Sequence, residues 1–558
     1  MNYLEELVAD LEHFGVKPEL IQFGNDQIGS DIAMPCFSLA QELRQSPQAI
    51  AQDIAGRLNH PDINRTEALG GYVNIWLNEE SMVRGLIAQG AENPDYGSVE
   101  PNNRTVIVEY VSPNLAKPLS IGHLRNALQG RALTNLYRSQ GYKVITDSHL
   151  GDWGTVFGMW VVGFQTFSSY EALGSGGNKE LGRVYVEMRK SLKAEAEAGR
   201  DELKQSVQDW LIKLEAGDEE AWKYHELFKN ISLADTNRVL AKLNIVFDET
   251  LGEAFYYQQA RQLIEQLLSD GVATKQDDNS VIVDLSSENL ETPLLLQKSN
   301  GALLYASTDI ATIKYREERW DPTAVLYVVG AEQQFHFRQL FAFNKLAKYS
   351  DADLVHYWYG LVEEIGEDGQ RQKMSSRRGA VYLEDVLDLA LEKAKAQAEP
   401  NMSTEDITKV AYGAISYREF LQGHQSNVLF NWEEMFSLTG KSGPYVQYAA
   451  VRLNSILAKS SLQPARTDGY DWRAEHSLLH KLLGYPALER QARTELEPSK
   501  LAFYIYDLAK DLNRYYETTI VLDEDEQVQA NRLWLMQIVK QNLAHALGIL
   551  GIDIPEKM

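Results

Sequence analysis

An apolar strand, a loop, an amphipathic helix and a second strand follow one another between residues 105 and 146. Residues Thr105–Val111 form the first apolar run, leucines at helical spacing follow from Leu124 to Leu136, and Tyr142–Thr146 form the second run. Strand, helix and strand in this order are typical of a parallel, doubly wound sheet. Such sheets bind their ligands at the carboxyl ends of the strands. The pattern therefore predicts an α/β fold with a binding site at the end of the first strand.

The patterns on either side predict further regions. Residues 1–104 combine helical apolar spacing with an alternating strand at Tyr72–Leu77, which indicates a separate α+β domain. We expect a Rossmann-like α/β domain at residues 105–425, with a charged helical insertion at about 168–245, and an all-helical domain at 426–558. Further strands of the α/β domain are expected at Ser280–Leu285, Leu303–Ala306, Val325–Val329 and Val355–Tyr359.

The composition excludes several classes of protein. The chain has 54 lysines and arginines against 79 aspartates and glutamates, a formal net charge of −25, which argues against field-driven, non-specific binding to nucleic acid but allows a local basic groove. A single cysteine, Cys36, excludes intrachain disulfides and a cysteine-based zinc cluster, so we expect no zinc. The N-terminus is acidic, unlike a signal peptide, and the longest apolar run, Val156–Phe164, is too short to cross a bilayer. These features predict a cytoplasmic protein without a membrane partner.

A first candidate phosphate-binding segment lies between the first strand and the helix. It reads SPNLAKPLSIGHLR, from Ser112 to Arg125. The N-terminus of a helix offers free N–H groups to a phosphate, and His123 can donate a further hydrogen bond. Lys117 and Arg125 could add positive charge. On its own, a Gly-His pair at a helix start is more often a helix cap or a packed histidine than a phosphate site.

A second basic segment lies far away in the chain. It reads KMSSRRG, from Lys373 to Gly379, and follows the turn-prone Gly366–Gly369. Three cations and two hydroxyls on one short loop suit a phosphate, although a solvated basic turn would look the same. Two such segments in one acidic chain together favour nucleotide binding. A strand–helix–strand unit could also belong to a dehydrogenase that binds a dinucleotide. That alternative lacks support, because no G-x-G-x-x-G follows the first strand.

The two segments resemble the HIGH and KMSKS signatures of class I aminoacyl-tRNA synthetases, and the flanking residues resemble arginyl-tRNA synthetases. Further matching segments are Leu150–Gly154, Tyr305 with Asp309, Pro444–Tyr448 and Leu550–Met558. The resemblance implies the class I catalytic fold and an arginine–tRNA ligase. Such an enzyme uses ATP, with Mg²⁺, to convert L-arginine to arginyl-adenylate, and then transfers arginine to the 3′-terminal ribose of tRNA(Arg). It also implies that activation requires bound tRNA.

The resemblance implies roles for individual residues. His123, Lys117 and Lys373 correspond to the catalytic positions that stabilise developing negative charge. The implied ATP-binding residues are Ser120, Gly122, His123, Lys373, Met374, Ser375, Ser376 and Arg377. The implied arginine-binding residues are Glu109, Ser112, Asn114, Tyr305, Asp309 and Gln333. No residue is expected to hold a resident metal ion.

The chain departs from the family pattern at three positions. Ser120 replaces the first histidine of HIGH, Ser376 replaces the second lysine of KMSKS, and Val156 stands where glutamine is common. Two alternatives to the ligase therefore stay open. One is a synthetase-like paralogue that activates arginine or a related amino acid for a non-tRNA acceptor, and the other is a non-catalytic arginine-binding regulator.

The helical C-terminal region is where the resemblance implies contact with the anticodon. Tyr448, Arg452 and Tyr515 are the candidate tRNA-binding residues, because aromatic and cationic side chains suit unpaired bases. Tyr448 and Tyr515 could equally be core residues of amphipathic helices. The resemblance further implies that residues 1–104 contact the tRNA elbow and that the enzyme is a monomer.

Overall fold

The structure is a computed structural model of the chain, and it describes residues 7, 11–17, 20–25, 29–366, 369–374 and 381–558. The chain folds into two units. The central unit comprises Pro101–Ala396 and Arg418–Glu433, and the terminal unit comprises Met1–Glu100, Gln397–Tyr417 and Glu434–Met558.

The strands form four sheets. Their bounds are β1 Gln22–Asn25, β2 Ser30–Pro35, β3 Ile63–Leu69, β4 Tyr72–Leu77, β5 Thr105–Glu109, β6 Lys143–Asp147, β7 Thr274–Lys275, β8 Val281–Val283, β9 Leu294–Gln297, β10 Ala324–Val328, β11 Asp353–Tyr357, β12 Val362–Ile365, β13 Arg371–Lys373 and β14 Val428–Leu429. In the central unit the sheets have the orders β11-β10-β5-β6, β13-β12-β14 and β7-β8-β9, and in the terminal unit the order is β1-β2-β4-β3.

Eighteen α-helices lie within the described residues. Their bounds are α1 Leu39–Leu43, α2 Pro47–Arg57, α3 Glu79–Ala88, α4 Ile121–Ser139, α5 Thr155–Phe167, α6 Tyr170–Glu197, α7 Glu202–Glu215, α8 Glu219–Ala241, α9 Glu253–Ser269, α10 Tyr305–Trp320, α11 Gln334–Ala347, α12 Leu383–Gln397, α13 Thr404–Glu419, α14 Trp432–Met435, α15 Gly443–Lys459, α16 His476–Thr494, α17 Ser499–Thr518 and α18 Glu526–Ile549. None of the helices in the described ranges is both long and apolar enough to cross a bilayer.

The four-stranded sheet β11-β10-β5-β6 is parallel throughout, which confirms the predicted α/β fold. One of its two inner strands, β5, is a continuous apolar run because it is covered on both faces, and Ile107 and Val108 are fully buried. From β5 the chain crosses through α4 to β6 on one side, and β10 later pairs with β5 on the other side. The carboxyl end of β5 is therefore a topological switch point, where such sheets bind ligands.

One predicted strand is wrong. Residues Leu303–Ala306 do not form a strand, because Leu304 is the extended N-cap residue of α10 and the helix begins at Tyr305. Only Leu303 makes a β-bridge, to Gln297. A four-residue apolar run at a helix start has the same composition as a short buried strand, so the pattern could not distinguish them.

A helical cluster occupies the region of the predicted insertion. Helices α5 to α8 pack around the buried aromatic residues Phe157, Trp160, Trp210 and Phe228. Helices α5 and α7 approach very closely at Gly158, where a Cβ would lie 2.0 Å from the carbonyl oxygen of Val207. The cluster follows β6 directly and so lies beside the carboxyl end of the sheet.

The terminal unit contains both terminal regions of the chain, packed against each other. Its antiparallel sheet contains β4 at the predicted Tyr72–Leu77. The hydroxyl of Tyr96 donates a hydrogen bond to the carbonyl of Leu482 at 2.9 Å, and the indole N–H of Trp534 donates to Glu92 at 2.7 Å. Helices α15 to α18 each bury apolar side chains, and they confirm the predicted helical C-terminal region.

Candidate active site

Four of the predicted arginine-binding residues lie at or just after the carboxyl ends of two neighbouring strands. Glu109 ends β5, and Ser112 and Asn114 lie in the loop after it. Gln333 lies in the short 3-10 helix after β10 and is exposed. Because β5 and β10 are parallel neighbours, their carboxyl ends open at one edge of the sheet.

The loop after β5 runs beside a second loop that follows β6. The N–H of Leu115 donates to the carbonyl of Gly151 at 3.2 Å, and the N–H of Gly151 donates to the carbonyl of Pro113 at 3.1 Å. A Cβ on Gly151 would lie 2.4 Å from the side-chain oxygen of Asn114. Glycine at this position therefore leaves room for the amide of Asn114, which explains part of the Leu150–Gly154 pattern.

The first candidate signature fixes the protonation state of its histidine. Ser120 is the N-cap residue of α4, and its backbone N–H donates to Nδ1 of His123 at 3.0 Å. A backbone N–H can only donate, so Nδ1 carries no proton and Nε2 carries it. Burial lowers the pKa of His123 below its usual value. His123 is therefore a neutral imidazole that presents an Nε2–H donor.

The structure describes the first two residues of the second candidate signature, Lys373 and Met374. Lys373 ends β13, where it pairs with Glu363 of β12, and the N–H of Met374 donates to the carbonyl of Val362 at 2.9 Å. The predicted ATP-binding residues Ser375, Ser376 and Arg377 lie outside the described residues.

Backbone hydrogen bonds join the chain after this segment to the first signature. The N–H of Ile121 donates to the carbonyl of Val381 at 2.9 Å, and the N–H of Leu383 donates to the carbonyl of Leu119 at 2.8 Å. Residue 381 directly follows the undescribed segment 375–380. Two segments about 260 residues apart in the chain thus meet at the start of α4.

The two other cations of the first signature differ in their surroundings. Lys117 is exposed, and its ammonium lies 5.6 Å from the ring centroid of Tyr185. Arg125 is only 1% exposed, and its Nε donates to both carboxylate oxygens of Glu419, at 2.9 and 3.0 Å. The expectation that Arg125 adds charge for a phosphate is wrong, because its charge is buried and paired with Glu419.

Glu109 is held by a buried arginine that the sequence patterns did not single out. One terminal nitrogen of Arg316 donates to Glu109 and to Asp147, both at 2.6 Å. Arg316 is 1% exposed, and burial opposes its charge, but the two carboxylates raise its pKa well above the usual value. The second oxygen of Glu109 lies 3.5 Å from the hydroxyl of Ser112, on the side of the loop. One oxygen of Glu109 is thus committed to the protein, and the other faces the predicted arginine-binding loop.

Further carboxylates surround the start of α10. Nε2 of His336 lies 2.6 Å from Asp309, and this contact raises the pKa of His336 despite the opposing effect of burial. Burial, together with the charges of Asp309 and Asp152, raises the pKa of Glu253 to about 8. Partial desolvation and the charge of Glu253 both raise the pKa of the exposed Tyr305, so these groups share one neighbourhood. Sequence reasoning missed Glu253 and His336, because neither belongs to a motif and their proximity arises only in the fold.

The candidate RNA-contacting residues of α15 and α17 differ in accessibility. Tyr448 is exposed, and the guanidinium of Arg452 lies 4.3 Å from the ring centroid of Tyr516. Tyr515 is 5% exposed, and its hydroxyl donates to the buried Glu475 at 2.7 Å. Of the two roles that the sequence allowed for Tyr515, its burial fits the core residue.

Within the described ranges, no group of three or more histidine, cysteine, aspartate or glutamate side chains is arranged to hold a metal ion. Mg²⁺ that accompanies ATP is a different case, because its ligands include the phosphates of the substrate.

Three protein families match the chain in succession. The Arginyl tRNA synthetase N terminal domain matches residues 2–77, the catalytic domain of tRNA synthetases class I (R) matches residues 86–432, and the DALR anticodon binding domain matches residues 446–558. Together they cover most of the chain in the order that the sequence patterns predicted.

Full-length relatives are also found. The chain is 36% identical to a protein of Exiguobacterium sibiricum and 35% identical to one of Streptococcus thermophilus, both named arginine–tRNA ligase; in each case 100% of this chain and 98% of the relative are covered. Among solved structures, arginyl-tRNA synthetase of Thermus thermophilus is similar with a TM-score of 0.81 and 26% identity, over 100% of this chain and 99% of that one.

Proposed function

The chain belongs to the arginyl-tRNA synthetase family. From this we propose which of its residues bind ATP, arginine and tRNA, and which stabilise the charge that develops in the reaction. It is such a ligase, a class I enzyme that joins arginine to tRNA with ATP as co-substrate. We propose that the carboxylate of arginine first attacks the α-phosphate of ATP to give arginyl-adenylate and pyrophosphate. The terminal ribose of tRNA(Arg) then takes the arginyl group and releases AMP.

The observation that carries this assignment of the site is the backbone pairing between Leu119–Ile121 and Val381–Leu383. It supports a single nucleotide site formed by the two candidate signatures at the N-terminus of α4, where N–H groups suit a phosphate. Phosphoryl transfer needs mainly positioning and charge neutralisation. We propose that His123 donates from Nε2 to the phosphates, and that Lys117 and Lys373 neutralise the charge that develops on them.

The remaining ATP contacts are proposed by family resemblance. They comprise Ser120, Gly122, Met374, Ser375, Ser376 and Arg377. Mg²⁺ enters with ATP as part of the substrate and neutralises phosphate charge.

We propose that arginine lies between the loop after β5 and the start of α10. A guanidinium group needs planar carboxylate partners, which Glu109 and Asp309 supply, with the Tyr305 hydroxyl beside them. The pKa of Glu253 near 8 supports a further role, because a desolvated carboxyl beside the charges of Asp309 and Asp152 gains a compensating charge when a guanidinium arrives. Ser112, Asn114 and Gln333 are the proposed partners of the α-amino and carboxylate groups.

We propose that residues 1–104 and 426–558 bind tRNA(Arg), the first at its elbow and the second at its anticodon, and that residues 105–425 carry the catalytic site. The exposed ring of Tyr448 and the cation of Arg452 support an RNA-contacting surface on α15. Tyr515 is left out of this surface because of its burial. A monomer that acts in the cytoplasm is the proposed working form.

Arginine-dependent exchange between ATP and labelled pyrophosphate tests the proposal. We expect exchange only when tRNA(Arg) is present. The variant Lys373→Ala should lower the rate by about 100-fold, the scale of losing one transition-state contact. Lys345→Ala, which removes an exposed lysine of α11, is the matched control and should leave the rate unchanged.

Three results would contradict the proposal. Exchange without tRNA would favour a paralogue that serves another acceptor, and arginine binding without any exchange would favour the non-catalytic regulator. Full activity of Lys373→Ala would remove the second signature from the site.

A further inference from the structure

The loop from Val111 to Lys117 contains two residues in a conformation that favours glycine. Val111 has a φ of +49° and Ala116 a φ of +56°, and both side chains are buried. Positive φ is uncommon for any residue with a Cβ and is an outlier for a β-branched one such as valine. Such backbone strain persists only where the surroundings fix it. The two strained residues bracket Ser112 and Asn114, and Ala116 directly precedes Lys117.

A buried asparagine holds the first strained residue. The N–H of Val111 donates to Oδ1 of Asn126 at 2.5 Å, and the amide nitrogen of Asn126 donates to the carbonyl of Val328 at 2.6 Å. The hydroxyl of Ser148 donates to the carbonyl of Val111 at 2.6 Å. Both polar groups of the Val111 backbone are therefore fixed by buried side chains. Asn126 also ties the loop to the end of β10, the strand that leads to Gln333.

A serine of the helical insertion holds the second strained residue. The N–H of Ala116 donates to the hydroxyl oxygen of Ser232 on α8 at 2.9 Å. The hydroxyl of Ser232 in turn donates to the side-chain oxygen of Asn178 on α6 at 3.2 Å. Ser232 and Asn178 are 3% and 2% exposed, so water does not compete for these bonds. The insertion thereby reaches the backbone next to Lys117.

We propose that Asn126 and Ser232 are positioning residues that hold the two ends of this loop independently. Asn126 sets the end that carries Ser112 and Asn114, and so governs the fit of arginine. Ser232 sets the end that carries Lys117, and so governs the neutralisation of ATP charge. This inference rests on the proposed roles of Ser112, Asn114 and Lys117.

Kinetics of the exchange reaction with tRNA present separate the two ends of the loop. Asn126→Ala should raise the KM for arginine about tenfold and leave the KM for ATP within about twofold. Ser232→Ala should do the opposite, lowering kcat/KM for ATP about tenfold while the KM for arginine stays within about twofold. Each variant is thus the control for the other. Thr312→Val removes a buried hydroxyl that bonds only within α10, to the carbonyl of Thr308, and should change neither substrate.

One further variant keeps the test open if Asn126→Ala does not fold. Ser148→Ala makes a smaller change and should also raise the KM for arginine. Where Asn126→Ala does fold, Val111→Gly accepts positive φ without strain, so in that background the effect of Asn126→Ala should be smaller than in the wild type.

Loss of thermal stability without any change in either substrate constant would overturn the proposal, because it would make both residues purely structural. Equal effects of Asn126→Ala and Ser232→Ala on both substrates would also overturn it. A different result would contradict the proposed arginine site itself: Ser112→Ala and Asn114→Ala would leave the KM for arginine unchanged.

Discussion

At the scale of single residues, the backbone rather than a neighbouring side chain sets the chemistry of His123. The N–H of Ser120 fixes the tautomer, and burial keeps the ring neutral. The serine hydroxyl lies 3.0 Å from the same ring nitrogen and therefore duplicates a contact that the backbone already makes. The replacement of the first signature histidine by serine thus leaves the donor on Nε2 intact.

This arrangement predicts unequal effects of two substitutions. Ser120→Ala keeps the backbone N–H, so kcat of the exchange reaction should fall by less than about tenfold, whereas His123→Ala removes the donor and should cost about 100-fold or more. Steady-state exchange rates measure both. A loss in Ser120→Ala as large as in His123→Ala would show that the hydroxyl itself acts on the substrate.

Glu253 illustrates what a sequence cannot reveal about a site. The sequence could propose the residues of the two signatures, because each stands at a fixed spacing within its motif. Glu253 has no such neighbours along the chain, and it becomes notable only because folding brings it close to Asp309 and Asp152. The same holds for His336, whose partner Asp309 lies on another helix.

The raised pKa of Glu253 predicts proton release when arginine binds. The free enzyme holds this carboxyl protonated below about pH 8, and a guanidinium favours the ionised form. At pH 7, calorimetry in buffers of different ionisation enthalpy should detect the proton, and affinity should rise with pH until about 8. Glu253→Gln should abolish both effects, whereas Glu265→Gln, an exposed change on the same helix, should retain them.

The raised pKa of Glu253 also predicts that the free enzyme becomes less stable as pH rises. The folded pKa of Glu253 lies above the unfolded value of about 4.3, so between these values the native state binds more protons than the unfolded one. Stability due to this group therefore falls as pH rises through that interval. Glu253→Gln should thus gain in melting temperature relative to the wild type on going from pH 5 to pH 8; a constant difference would contradict the raised pKa.

At the scale of secondary-structure elements, one side chain ties a helix to the functional end of the sheet. Arg316 on α10 bonds the last residue of β5, Glu109, and the last residue of β6, Asp147. The apolar runs predicted these strands, and the periodicity of the leucines predicted α4. The sequence could not predict that α10 places its charge against two strand ends more than 150 residues away, because no local pattern encodes that pairing. The failed strand at Leu303–Ala306 lies at the start of the same helix.

Removal of Arg316 should be costly. Arg316→Met leaves two buried carboxylates without their partner, which should lower the free energy of unfolding of the central unit by about 3–5 kcal/mol. Arg138→Met is the matched control, since the Arg138–Asp248 pair is half-exposed and 3.7 Å apart and should contribute less than about 1 kcal/mol. Urea unfolding measures both. Similar midpoints for the two variants would contradict a stabilising role for the buried pair.

At the scale of the whole molecule, folding brings the two ends of the chain into one unit. The helical apolar spacing and the alternating strand predicted a separate N-terminal region but not its packing, which depends on contacts between residues some 400 positions apart. His476, the first residue of α16, is the clearest of these contacts. Its Nδ1 lies 3.0 Å from Glu79 and its Nε2 lies 2.9 Å from Asp31, and Asp31 also accepts the N–H of Leu77.

This contact predicts that the association of the N-terminal sheet with α16 weakens as pH rises. Bonding to Asp31 raises the pKa of His476 above the unfolded value of about 6.5, despite opposing burial. A histidine whose pKa is raised on folding contributes its full stabilisation at pH values below its pKa in the unfolded state. This stabilisation is lost as pH rises through its pKa in the folded state. Charge-assisted hydrogen bonds contribute about 1.5–3 kcal/mol, so His476→Ala should cost about 2 kcal/mol at pH 6 and distinctly less at pH 9.

Hydrogen exchange of β2 and α16, corrected for the intrinsic effect of pH, measures this association directly. The wild type should lose protection of both elements between pH 6 and pH 9, and His476→Ala should be weakly protected at both values. The neighbouring His480 is a necessary control, because its Nε2 bonds the carbonyl of Asp31 and burial lowers its pKa, so its own contribution has the opposite sign. In His480→Gln the loss of protection at high pH should persist. If protection is instead kept at high pH in His480→Gln, although His476 is intact, the pH response belongs to His480 and the ion pairs of His476 are not its cause.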